Sequence, residues 1–174
     1  YNPPQYFGRA RGQLKFSSAI VQPITSGNTM VLNRSARDLL LSCKGLELIP
    51  YHDWWCYLLV LGAGGKVFFD PIPYIKYRQH SSNTIGAVHG LKAFYSKLKN
   101  FCSLQFKNNV VSNVNCLKLN AHLLSDSNKQ VLFQFERALQ GPLSSRYIAL
   151  YRSGVRRQGW TNLALWLGPL FNFF

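Results

Sequence analysis

The stretch from Asp53 to Leu61 reads D-W-W-C-Y-L-L-V-L and runs directly into G-A-G-G. Past Asp53 it carries no charge and includes two indoles, so any fold this chain adopts has to bury it. It stops well short of the roughly 20 apolar residues that span a bilayer, which makes it the seed of a core. Its pattern is helical, and the glycines supply the stop. The run opens on one of only six acidic residues, in a chain with twenty basic ones. A carboxylate placed beside two large rings needs a reason.

The segments around this run predict an α/β half followed by a helical one. Residues 1 to about 22 form a weakly patterned lead-in containing Pro, Gly and Arg. I-T-S-G-N-T-M-V-L-N-R, 24 to 34, passes from small polar residues into a strand-like run. S-A-R-D-L-L-L-S-C predicts a helix with Ser35 as its N-cap. K-V-F-F-D and Y-I-K-Y-R-Q-H predict short strands flanking P-I-P, and S-S-N-T-I-G-A-V-H-G a loop. From residue 91 helical spacing dominates, with Leu91, Phe94, Leu98 and Phe101 on one face and Asp126 as a later N-cap. Basic residues run throughout this last part.

The formal net charge of +14 draws polyanions: nucleic acid, anionic lipid or phosphorylated substrates. The hydrophobic share of 47% is enough for a packed core and excludes a disordered chain. Cys43, Cys56, Cys102 and Cys116 form no C-x-x-C pair, so a zinc site reads poorly. Cys43 and Cys56 sit in apolar segments and read as buried reduced thiols, in keeping with a reducing compartment. No secretory pattern opens the chain, which begins Y-N-P-P-Q-Y without methionine and reads as a fragment.

Three polar pieces close apolar elements, the places where ligand groups collect. In the first, Asp53 serves either as a helix cap or as a rigidly held general base. Trp54 and Trp55 beside it serve either as core or as a flat platform for a sugar ring. In the second, Arg78 offers a donor fork suited to diphosphate, with Gln79 and Asn83 nearby. His80 is either a hydrogen-bonded structural residue or a metal ligand. In the third, Ser26, Gly27, Asn28 and Thr29 form either a simple turn or a backbone-rich ledge.

These pieces, S-G-N-T-M-V-L-N-R and H-D-W-W through Y-R-Q-H-S-S-N-T-I-G, resemble the second half of family-2 glycosyltransferases with the GT-A fold. The nearest subgroup is the bacterial rhamnosyltransferase-like enzymes of O-antigen and capsule synthesis. The likeness covers residues 20 to 90. It implies an α/β fold: residues 1–90 the acceptor-side part of a GT-A domain, residues 91–174 a basic helical tail. It implies inverting transfer of a sugar from a nucleotide-diphosphate donor to a hydroxyl of a glycan or lipid-linked glycan. Asp53 matches the catalytic base, although many relatives carry a second acid where this chain has His52. His52, Trp54, Trp55 and Ser26 to Thr29 would hold the acceptor. Arg78, Gln79 and Asn83 would lie near the donor diphosphate, and His80 near a divalent Mg or Mn. The Asp-x-Asp motif of that family is absent here. The main metal ligands and the nucleotide-binding half are therefore expected in a missing N-terminal part, and the isolated chain is expected to be inactive.

The basic helical third, with Trp160, Trp166, Leu167 and Phe171 among its cations, predicts contact with an anionic membrane surface. That places the protein in the cytoplasm, peripheral on the inner face of the cell membrane. The rival expectation is a nucleic-acid-binding or other non-catalytic binding module. Against nucleic acid stand the missing RNP-like, zinc-finger and helix-turn-helix signatures.

Overall fold

The computed structural model describes residues 14–70, Ile72, 103–157 and 161–170. Among them the chain is helical: α1 (Phe16–Ala19), α2 (Arg34–Leu41), α3 (His52–Gly62), α4 (Leu104–Leu119), α5 (Asp126–Gln140), α6 (Leu143–Ser153) and α7 (Thr161–Leu167). Three 3₁₀ turns, Gly27–Thr29, Leu46–Leu48 and Ala121–Leu123, sit between them.

No strand occurs among the described residues, which corrects the expected α/β fold. Val31 and Leu32, in the strand-like run after Thr29, stand in solvent, Val31 at 96% exposure. A β-branched run becomes a strand only when a neighbour pairs with its backbone groups. The 31–32 run forms no strand among the described residues, and neither does K-V-F-F-D. Y-I-K-Y-R-Q-H lies outside them.

The apolar run beginning at Asp53 is the buried centre. Trp54, Trp55, Tyr57, Leu58, Leu59 and Leu61 of α3 are all buried, as a helix apolar on every side has to be. α1 and α2 pack on α3, and α5 packs on α1. α5 and α6 form the main helix pair, joined through Gly141 and Pro142. α4 contributes Val110, Val114, Cys116 and Leu117; α5 contributes Leu132, Phe135 and Ala138; α7 contributes Leu165. Residues from both sides of the expected boundary at 90/91 therefore share one core.

Polar cross-ties fix these elements. The amide of Asn128 donates to the carbonyls of Leu61 and Gly62, at 2.9 and 3.0 Å, adding a second donor where α3 ends to carbonyls that also accept from the Gly64 and Ser125 N–H. Buried Asn120 accepts from the Lys44 N–H at 2.9 Å and donates to the Lys44 carbonyl at 2.8 Å, tying the loop after α2 to the end of α4. Two caps shift by one or two residues from expectation. Asn33, not Ser35, caps α2 by accepting from the Ala36 N–H at 2.9 Å. Ser125 takes the N-cap place of α5, and Asp126 instead pairs with Lys129 at 2.8 Å within its first turn. Among the described residues no helix is long and apolar enough to cross a membrane.

Candidate functional site

The first turn of α3 and the 3₁₀ turn Gly27–Thr29 meet. The Thr25 hydroxyl donates to the backbone carbonyl of Asp53 at 3.0 Å. Gly27 lies so close under His52 that a methyl group there would collide with the imidazole. The turn is stiffened internally: the Ser26 hydroxyl donates to Asn28 Oδ1 at 2.6 Å, and the Thr29 hydroxyl to the Ser26 carbonyl at 2.9 Å. Four of the sequence-predicted acceptor residues, Ser26, Gly27, Asn28 and Thr29, are thus brought against a fifth, His52, and the expected base, Asp53.

Asp53 is half-buried in the first turn of α3, where the positive end of the helix dipole favours a carboxylate. Its Oδ1 accepts from the Trp54 N–H at 2.8 Å. It is not the N-cap, a place taken by Tyr51. Among the described residues no ion pair reaches Asp53, whereas Asp38, Asp126 and Glu136 each lie against a cation. Among the described residues, then, this half-buried carboxylate has lone pairs open to another partner, in a chain with twenty basic residues and six acidic ones.

Trp54 and Trp55 do not form a sugar platform. Each is 1% exposed. The Trp54 ring stacks on Phe106 of α4 with centroids 6.0 Å apart, and its Nε1–H donates to the Ala19 carbonyl at 2.7 Å. The Trp55 Nε1 is enclosed with no hydrogen-bond partner among the described residues. With both rings enclosed, neither offers a face to a ligand. The exposed aromatic ring at this corner is Tyr51, which the sequence did not single out. Its signal was its place: the last residue before α3 and the neighbour of His52. Thr25 was missed as well, because its bond to Asp53 spans 28 positions that no local pattern connects.

Arg78, Gln79, His80 and Asn83 lie outside the described residues, as do Trp160 and Phe171 of the basic third. No group of three His, Cys, Asp or Glu side chains that could hold a metal ion gathers among the described residues. Cys43, Cys56 and Cys116 are free thiols, each pushed up by burial, Cys116 to about 11. No family model matches the chain, and no curated protein or solved structure matches it.

Proposed function

We propose that the corner formed by Tyr51, His52, Asp53 and the Ser26–Thr29 turn is the acceptor side of a sugar-transfer site. The observation that carries this reading is the meeting of the Ser26–Thr29 turn with His52 and Asp53, two segments whose sequence resembles the acceptor side of such enzymes. In the reaction Asp53 takes the proton of an acceptor hydroxyl as that oxygen attacks the anomeric carbon of a nucleotide-diphosphate sugar. The bond from the anomeric carbon to the diphosphate breaks, and its electron pair leaves on the phosphate oxygen. Direct displacement of this kind inverts the anomeric centre. The exposed Tyr51 ring takes over the stacking role that the buried tryptophans leave open. His52, Asn28 and Thr29 are exposed beside it and offer hydrogen bonds to ring hydroxyls.

Two measurements test this. Titration of oligosaccharide acceptors into the isotope-labelled chain should move the amide resonances of Ser26–Thr29, His52 and Asp53 before all others. Shifts confined to other parts of the chain would sink the assignment. In the full polypeptide encoded by its reading frame, Asp53→Asn should lower transfer from a nucleotide-sugar by about 10²–10⁴-fold while leaving acceptor binding intact. An unchanged rate would remove Asp53 from the role of base.

A further inference from the structure

Every residue of α7 after Asn162 is apolar. One side is anchored by Leu165, which is fully buried in the core. The other side is open: Leu163 and Leu167, four residues apart on the helix, are 66% and 40% exposed, and Leu170, in the turn that follows, is 56% exposed. An all-apolar helix belongs in an interior or against a non-aqueous phase, and this one is covered on one side only. Half-buried Trp166 lies at i+3 of the same stripe, and the Arg156 guanidinium sits 5.0 Å from its ring centre. An Arg on an indole is an arrangement suited to the boundary between headgroups and acyl chains. The sequence leading to it and beyond carries charge of one sign. From Arg137 to Phe174 the chain has five arginines and no Asp, Glu or Lys.

We propose that the Leu163–Leu167–Leu170 stripe, with Arg156 beside it, docks on an anionic lipid surface. The leucines enter the headgroup–acyl boundary and the guanidinium meets lipid phosphate. A second copy of the chain fits worse, because it brings the same acid-free, arginine-bearing segment onto itself in a protein of net charge +14. A nucleic acid matches the arginines but leaves the leucines without a partner, since aliphatic side chains give bases nothing to stack on. The proposal stands independently of the transfer reading.

The test is co-sedimentation of the purified chain with phosphatidylcholine vesicles holding about a third phosphatidylglycerol, at roughly 0.05 M salt. The wild-type chain should bind these, and should bind pure phosphatidylcholine vesicles weakly. Replacing all three leucines (Leu163→Ser, Leu167→Ser, Leu170→Ser) should weaken binding by about tenfold or more. Arg156→Gln should weaken it several-fold and reduce its salt dependence. Circular dichroism checks that each variant keeps the helical fold, and Arg156→Gln alone decides the matter if the triple variant does not. Three results would overturn the proposal: no binding to the anionic vesicles, binding unmoved by the variants, or a dimer or duplex-DNA complex that the variants abolish while vesicle binding persists.

Discussion

Trp54→Phe separates a core residue from a sugar-stacking one in a single measurement. The substitution keeps a six-membered ring against Phe106 and deletes the pyrrole edge with its N–H. That N–H donates to the carbonyl of Ala19 at 2.7 Å, and Ala19 is itself fully buried. Losing the donor leaves a desolvated carbonyl, at a cost of about 1–3 kcal/mol. The missing edge opens a few tens of Å³ that the packed α1–α3–α4 contact does not refill. At about 24 cal/mol per Å³ this adds about 1 kcal/mol. The sum is a destabilisation of about 2–4 kcal/mol, a large part of the roughly 5–15 kcal/mol that holds a domain together. Equilibrium unfolding in urea reads it directly. With a slope of about 1–3 kcal/mol per molar, the midpoint should fall by roughly 1–2 M at constant slope. Glycan binding by the variant that remains folded should be unchanged. A loss under about 0.5 kcal/mol, the range of surface substitutions, would mean the indole faces solvent and the packing described here is wrong.

Alkaline pH should weaken the fold. Burial pushes the Cys116 thiol up to about 11 and the Tyr57 phenol up to about 12, so as pH rises past about 9 the unfolded chain releases protons that the fold retains, and stability falls. Arg157, pushed down to about 10 by burial, opposes this above pH 10, because there the fold gives up its proton first. Thermal melts should therefore decline between about pH 9 and 11, and Cys116→Ala should make that decline shallower; an equally steep decline would refute the assignment. Asn113 is fully buried, and neither of its amide atoms has a hydrogen-bond partner among the described residues. Asn113→Leu should accordingly stabilise the chain by about 1 kcal/mol in the urea titration, and a loss of that size would reveal a polar partner. Gly45 and Gly154 both hold positive φ, 71° and 64°, but an added methyl at Gly45 would lie 2.7 Å from Leu119 Cδ1 while at Gly154 it would meet nothing within 4 Å. Gly154→Ala and Gly45→Ala should each cost about 1 kcal/mol from backbone strain, since the Leu119 methyl met at Gly45 is the end of an exposed side chain that can swing aside; a cost several-fold larger at Gly45 in thermal melts would show Leu119 held in place.

What the sequence made legible was what apolar spacing encodes. The run after Asp53 reads as a buried helix and is one, because no arrangement in water leaves two indoles and a row of leucines exposed. The helices from Leu104 onwards follow the same rule. What failed were inferences that depend on a distant partner. Val31 and Leu32 have strand-like chemistry, but a strand exists only beside another, and local sequence does not reveal whether a neighbour arrives. The caps moved by one or two residues: Asn33 offers a side chain as suitable as that of Ser35, while Ser125 holds the N-cap place of α5 without a side-chain bond. Trp54 and Trp55 were expected to hold an acceptor and are enclosed instead, Trp54 against Ala19 and Phe106 of α1 and α4, which lie far away in the chain.

Arg156 and Arg157 are neighbours of identical chemistry with opposite fates, and the second bears on the candidate site. Arg156 lies over Trp166 of α7. Arg157 turns inward, donates to the Val21 carbonyl, and covers the Phe106 ring at 5.3 Å from its centre. Phe106 in turn stacks on Trp54, the residue after Asp53. The segment leading to the Ser26 turn is therefore pinned at three successive points. Trp54 holds the Ala19 carbonyl, Arg157 holds the Val21 carbonyl, and Thr25 reaches back to the carbonyl of Asp53. Each pin alone is an ordinary hydrogen bond, of about 1 kcal/mol net, or about 1.5–3 where the guanidinium is the donor. Together they leave the turn few places to go other than against His52 and Asp53. A buried cation costs desolvation, and here the carbonyl and the aromatic face offset it. What that arrangement secures is position: loosening any one pin would shift Ser26 relative to Asp53 while leaving both side chains chemically intact.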